Sequence, residues 1–105
     1  MIDVDKILPS ARVLAERCAG DRVPDNLLAM VLAHLRRHRD VQATLRLLAA
    51  LPQSPFARRT GSTPHQMKSL RQHTDKALAR VSDWEEAAWI VGWARRLVRS
   101  FGGHL

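Results

Sequence analysis

Tyrosine is absent from this chain of 105 residues, and the β-branched and aromatic residues that favour strands are sparse. Alanine, leucine and arginine dominate instead, and all three have high or moderately high helix propensity. The composition therefore predicts an all-α fold. The length is typical of one domain, so we expect residues 1–105 to form a single helical domain.

Only one cysteine is present, Cys18, so the chain cannot form an internal disulfide. This favours a reducing, intracellular environment. Cys18 falls beside Leu14 and Ala15 on the inner face of a predicted helix, and we interpret it as a core residue rather than a nucleophile. No signal-peptide pattern opens the chain and no apolar run approaches a membrane span. We therefore expect a soluble cytoplasmic protein that does not contact a membrane.

The usual signatures of enzymes are also missing. The sequence contains no phosphate-binding loop, no nucleophile elbow and no paired metal motif. His34 and His38 are four residues apart, a spacing that can bind a metal on one helix face, but no further ligand motif accompanies them. We predict a protein that is not an enzyme, with no cofactor, no metal site and no small-molecule substrate.

Apolar residues repeat at helical spacing in five segments. Pro9 is taken as the start of the first segment because proline inside a helix removes a backbone hydrogen bond. The pattern predicts a compact bundle with helices over about 9–20, 24–38, 40–51, 64–81 and 83–101, and it allows a short helical turn at 55–60.

Capping residues support several of these boundaries. Gly20 and Asp21 form a natural stop for the first helix. Thr63 and Gln66 have the spacing of a capping box at the start of the fourth helix. Ser82 and Glu85 have the same spacing before the fifth, so we predict a second capping box there.

Positive charge is concentrated in the later part of the chain. The net charge is +7, and residues 36–105 carry thirteen Lys or Arg against five Asp or Glu. Such a surplus suits a polyanion, chiefly nucleic acid. The alternative is that many of these arginines only solvate helix faces, and cations at the end of the second helix also complement its dipole.

The segment FARRTGSTPHQMKSL, within residues 53–71, resembles the helix-turn-helix units of bacterial DNA-binding regulators. Ala57 would allow close helix approach, Gly61 would take the positive φ of the turn, and Met67 and Leu70 would anchor the second helix. The resemblance implies a recognition helix that presents His65, Gln66, Lys68, Ser69 and Arg71 to DNA. It also places Arg58 and Arg59 near phosphates.

The last predicted helix, SDWEEAAWIVGWARRLVRSF, contains all three tryptophans and is apolar over more than half of its surface. Its small apolar residues offer a face for close packing: Ala87, Val91, Ala94 and Val98. Trp89 and Trp93 lie on the far side of that face, near a narrow strip that holds Arg95, Arg96 and Arg99. Two interpretations remain open, because the tryptophans can belong to the core or to a docking surface for a partner.

The whole chain also resembles the small helical subunits of type III CRISPR effector complexes, in its size, helicity, basic charge and last helix, EEAAWIVGWARRLVRSF. The resemblance implies a non-catalytic subunit of a ribonucleoprotein in antiviral defence, which contacts the nucleic-acid backbone through Arg and Lys and also binds protein partners or itself.

We therefore predict a nucleic-acid-binding subunit of a larger assembly. The alternatives are a helix-turn-helix regulator of DNA and an adaptor that docks a protein through Trp89 and Trp93. The residues expected to contact RNA or DNA are Arg36, Arg37, Arg39, Arg58, Arg59, His65, Lys68, Arg71, Arg95, Arg96 and Arg99.

Overall fold

The computed structural model describes residues 4–50 and 63–102, with side chains described up to residue 100. Over these ranges the chain forms helices and no strand, which confirms the predicted all-α bundle of about five helices. The helices are α1 (Val4–Gly20), α2 (Asp25–His38), α3 (Val41–Ala50), α4 (Pro64–Ala77) and α5 (Trp84–Gly102). The turn allowed at 55–60 lies outside the described residues. No helix in the described part of the chain is long and apolar enough to cross a membrane.

A single cluster of buried apolar side chains receives residues from all five helices. α5 packs mainly on α1 and α2, whereas α4 packs mainly on α1 and α3. The small-residue face of α5 is buried as predicted, with Ala87, Val91 and Ala94 fully inaccessible and Val98 8% exposed. Because these side chains are small, the backbone of α5 can lie close to its two neighbours, and the larger tryptophans are left toward the outside.

α1 begins at Val4, so the predicted start at Pro9 is wrong by five residues. Pro9 lies inside the helix, in its second turn, and removes only the hydrogen bond to the carbonyl of Asp5. Both residues are exposed, so water can solvate that carbonyl. The extra turn also places Ile7 in the core at 2% exposure, and burying this side chain offsets the lost bond.

α1 ends at Gly20, as predicted, and the turn that follows is a Schellman motif in which Arg22 is the left-handed residue. Arg22 has φ 59°, its N–H donates to Ala19, and the N–H of Val23 donates to the carbonyl of Cys18. Val23 is buried, which supplies the apolar contact that usually accompanies this motif. An arginine therefore stands at a position that favours glycine.

This arrangement predicts that Arg22→Gly stabilises the protein by about 0.5 to 1 kcal/mol, because a residue with a side chain pays a steric cost in the left-handed region. Urea unfolding monitored by circular dichroism measures the change. Arg22→Ala removes the same charge and keeps the steric cost, so it should show no such gain. Equal stabilities of the glycine and alanine variants would contradict this explanation.

α4 begins with the predicted capping box. The hydroxyl of Thr63 accepts from the N–H of Gln66, and the side-chain oxygen of Gln66 accepts from the N–H of Thr63. The helix ends at Ala77, however, and not at residue 81 as predicted. Leu78 is buried and Val81 is partly buried, so the apolar spacing of the helix continues through the turn that follows it. This continued spacing is the reason that the predicted helix is too long.

The cap of α5 also differs from the prediction. The carboxylate of Asp83 accepts from the N–H of Glu85 at 3.0 Å, and the carbonyl of Asp83 accepts from the N–H of Ala87. Asp83 therefore caps α5 in place of Ser82. The helix starts one residue later than predicted.

Candidate functional site

A groove with a volume of about 720 Å³ lies between α2 and α5. Residues of both helices form its walls, and we call it the tryptophan–arginine groove. It is lined by Leu32, Arg36, Trp84, Glu85, Ala88, Trp89, Gly92, Trp93, Arg95 and Arg96. The groove thus contains all three tryptophans and three of the arginines predicted to contact nucleic acid.

The two central tryptophans differ in burial. Trp89 is 46% exposed, whereas Trp93 is partly buried and packs against the core. The residues are four apart, so their side chains lie on neighbouring turns of one helix face. Exposing nearly half of a large indole to water forgoes a substantial gain from burial. Trp89 is therefore a surface residue, and the interpretation of both tryptophans as core residues fails for Trp89.

Two cations of the groove pair with no acid in the part of the chain that the structure describes. Arg36 comes from the last turn of α2 and Arg96 comes from α5, and both are exposed. No carboxylate among the described residues lies within ion-pair distance of either guanidinium. Arg96 instead lies over the ring of Trp93, with its Cζ atom 5.3 Å from the ring centroid. The charges of Arg36 and Arg96 are thus available to a ligand.

Arg95 and Arg99 are placed differently. Their Nε atoms lie 3.7 and 3.8 Å from the same carboxylate oxygen of Asp25, in the first turn of α2. This carboxylate partly neutralises both arginines and ties α5 to the start of α2. Because the side chains are 37% to 64% exposed, these ion pairs add little to stability. Arg95 and Arg99, which are predicted to contact nucleic acid, thus already face a carboxylate of the protein.

Two buried donors beside the groove lack a hydrogen-bond partner among the described residues. They are the indole Nε1–H of Trp93 and the Nε–H of Arg95. A buried donor without a partner is costly, and in native proteins such atoms usually have an explanation. The Nε atom of Arg95 also lies 3.7 Å from the carboxylate of Asp25, so the Nε1–H of Trp93 is the donor suited to a ligand that carries an acceptor oxygen.

The other arginines at the end of α2 do not line the tryptophan–arginine groove. Arg39 is the left-handed residue that follows α2, with φ 53°, and its Cζ atom lies 5.5 Å from the ring centroid of Trp84. Arg37 is exposed and does not line the groove. The predicted cluster of Arg36, Arg37 and Arg39 is therefore divided, and only Arg36 lines the groove wall.

The predicted recognition helix corresponds to α4 and is only partly available to a ligand. His65, Lys68 and Arg71 are exposed there, but Ser69 is 4% exposed and faces the interior. Gln66 is also engaged, because its side-chain amide closes the capping box and donates to the carbonyl of Arg22 at 2.9 Å. The prediction that Ser69 and Gln66 are presented to DNA is therefore wrong, because both side chains contact the turn between α1 and α2.

Other parts of the predicted helix-turn-helix unit have mixed outcomes. Met67 and Leu70 are fully buried, as expected of anchors. Arg58 and Arg59 lie outside the described residues. Arg71 forms an ion pair with Asp75 at 3.6 Å. α4 packs on α1 and α3, so its exposed cations form a surface separate from the tryptophan–arginine groove.

Sequence reasoning missed a polar contact between α4 and the α1–α2 turn. The Nε2 atom of His73 donates to the carboxylate of Asp21 at 2.6 Å. This hydrogen bond is the main reason that the pKa of Asp21 lies below its usual value, and a hydrogen bond from Ser69 acts in the same direction. No local pattern connects residues 52 positions apart. The contact holds α4 in place and lies away from the groove.

His34 and His38 stack on each other, with ring centroids 4.2 Å apart. The Nδ1 atom of His34 forms a hydrogen bond with the hydroxyl of Thr44 at 2.7 Å, and the same hydroxyl lies 3.2 Å from the carbonyl oxygen of Asp40. Partial burial lowers the pKa of His34, and the nearby His38 and Arg37 lower it further. Among the described residues, no group of three or more His, Cys, Asp or Glu side chains comes together.

No protein-family model, no curated protein sequence and no solved structure matches this chain. The resemblances to the CRISPR small subunits and to helix-turn-helix units therefore depend on the sequence features described above. They stay predictions.

Proposed function

We propose that this chain binds nucleic acid without catalysing a reaction, and that the tryptophan–arginine groove is its principal contact surface. The observation that carries the proposal is the groove itself. It combines an exposed indole, Trp89, with two cations from different helices, Arg36 and Arg96, neither of which pairs with a carboxylate of the described residues. Aromatic rings and unpaired arginines in one groove are typical of surfaces that bind nucleic acid.

Charge supports the same proposal. The chain carries a net charge of +7, and seven of the residues with which we propose it contacts nucleic acid lie on α2 and α5 or directly after α2. They are Arg36, Arg37, Arg39, Arg95, Arg96, Arg99 and, as a stacking residue, Trp89. Such a surface attracts phosphates over a distance and holds them with little dependence on base sequence.

The wider assembly is part of this proposal. A small basic helical subunit of a ribonucleoprotein contacts both nucleic acid and neighbouring subunits. The exposed basic side chains of α4, which are His65, Lys68 and Arg71, offer a second surface apart from the groove. The resemblance to subunits of antiviral effector complexes supports this role. The regulator of duplex DNA has less support, because Gln66 and Ser69 are engaged within the protein.

Fluorescence anisotropy tests the proposal with labelled single-stranded RNA, single-stranded DNA and duplex DNA across a salt series. Affinity should fall as salt rises between about 50 and 200 mM, because each phosphate contact releases counterions. The double variant Arg36→Gln/Arg96→Gln should lower the slope of log affinity against log salt by about 0.7 per removed cation on a single strand.

The matched control is Arg12→Gln/Arg46→Gln, which removes the same charge from exposed positions on α1 and α3 outside the groove. Its slope should change much less. If no nucleic acid binds at low salt, the proposed function is wrong. If both double variants change the slope equally, the groove is not the principal contact surface.

A further inference from the structure

The three tryptophans of the groove differ in what covers their rings. Arg39 lies over Trp84 at 5.5 Å and Arg96 lies over Trp93 at 5.3 Å, so two of the rings already hold a cation. Trp89 has no cation over its ring among the described residues and is the most exposed of the three. An uncovered indole in a groove is suited to stack against another flat group.

The walls of the groove favour a ligand that carries negative charge and acceptor oxygens. Arg36 and Arg96 supply cations that pair with no carboxylate of the described residues, and the Nε1–H of Trp93 is a buried donor without a hydrogen-bond partner among those residues. Among the described residues, Glu85 is the one carboxylate that lines the groove. It precedes Arg96 by eleven residues on α5, so the two backbone positions are separated by about 16 Å along the helix axis.

These features together point to the class of nucleic acid. A double helix hides the faces of its bases within the stack, so an indole outside the helix meets only phosphates, sugars and base edges. A single strand can turn a base outward onto an aromatic ring while its phosphates contact neighbouring cations. The position of Trp89 between Glu85 and Arg96 on one helix face, opposite Arg36, fits the second arrangement.

We propose that the tryptophan–arginine groove binds single-stranded nucleic acid, with one base unstacked onto the ring of Trp89 and the adjacent phosphates held by Arg36 and Arg96. This inference rests on the proposed function and specifies its ligand. An acidic peptide is the competing occupant. It could pair with the same arginines, but it would not provide the flat base that an uncovered indole favours.

The test compares two single strands of about a dozen nucleotides that carry the same number of phosphates. One is an oligouridylate, and the other has abasic sites at every position. The protein should bind the base-bearing strand about tenfold or more tightly than the abasic strand, since one stacked base contributes at this level. Trp89→Ala should bind both strands with nearly the affinity that the unchanged protein has for the abasic strand. Trp89→Phe should restore much of the difference.

Two further measurements complete the test. Binding of oligouridylate should quench the tryptophan fluorescence of the unchanged protein, and Trp89→Phe should lose most of this quenching. Val13→Ala is the matched control, because Val13 is 50% exposed on α1 and does not line the groove. This control should preserve both the preference for base-bearing strands and the quenching. Circular dichroism of each variant verifies that the helices are intact.

The outcomes separate this inference from the proposed function. Equal binding of base-bearing and abasic strands, tighter binding of a hairpin duplex, or equal binding of polyglutamate of matched charge would overturn the inference. The first two of these results would leave nucleic-acid binding itself standing. Failure to bind any nucleic acid at low salt would remove the proposed function and the inference together.

Discussion

Replacing Leu28 with alanine should lower the free energy of unfolding by about 2 to 5 kcal/mol, which is a large part of the stability of a domain of this size. Leu28 is fully buried on α2, in the cluster to which all five helices contribute. Truncation removes apolar area from the core and leaves a cavity that rigid neighbouring helices fill only in part. Urea unfolding monitored by circular dichroism measures the loss as a lower midpoint with an unchanged slope.

Two control variants test this explanation for Leu28. Leu28→Met nearly conserves volume, so its cost should stay below about 1.5 kcal/mol. Val13→Ala removes an apolar side chain that is 50% exposed, and its effect should lie within about 0.5 kcal/mol. A loss for Leu28→Ala no larger than that for Val13→Ala would show that α2 does not pack in the core as described.

The burial of Leu28 could be predicted because it depends on local spacing. Leu27, Leu28, Val31, Leu32 and Leu35 recur at helical intervals, and all five are buried. Such a pattern predicts which side of a helix faces the core, and it does so without knowledge of the helices that pack against that side. The fold class and the inner faces of the helices therefore follow from the sequence.

Helix ends were harder to predict, because tertiary burial competes with local rules there. Pro9 marks a helix start by local rules, but burying Ile7 extends α1 by a further turn. Leu78 keeps the apolar spacing of α4 after the helix has ended. The left-handed position after α1 favours glycine, yet Arg22 occupies it. In each case, packing and not intrinsic preference decides the conformation.

The groove depends on contacts between residues that are distant in sequence. Composition drew attention to Trp89, Trp93 and the arginines, but no local pattern indicates that Arg36 shares a groove with Arg96. The ion pairs of Asp25 with Arg95 and Arg99 also cannot be predicted from the sequence, because they form only when α2 and α5 pack side by side. Sequence reasoning could therefore identify the residue types of the groove, but the three-dimensional packing determines which of them act together.

Cys18 should react with thiol reagents at least about a thousandfold more slowly in the folded protein than in the unfolded chain near pH 8. Burial, and to a smaller extent the negative charge of Asp21, together raise the pKa of the Cys18 thiol from 9.0 to about 12. Three pKa units reduce the reactive thiolate a thousandfold, and the side chain is also fully inaccessible. Reaction with Ellman's reagent, with and without guanidinium, measures the ratio.

The same pKa predicts how stability depends on pH. Because the folded-state pKa is the higher one, the neutral thiol contributes its full stability below about pH 9, and this contribution is lost as the pH rises from 9.0 toward 12. At pH 10 the loss should reach about 1.4 kcal/mol, because the thiolate of Cys18 is then about ten times more abundant than the thiol in the unfolded chain. Cys18→Ala cannot ionise at this position, so its stability should fall less than that of the unchanged protein between pH 8 and pH 10. Parallel pH profiles for the two proteins, or rapid labelling of the folded protein, would show that Cys18 is not held in the core between α1 and its neighbours.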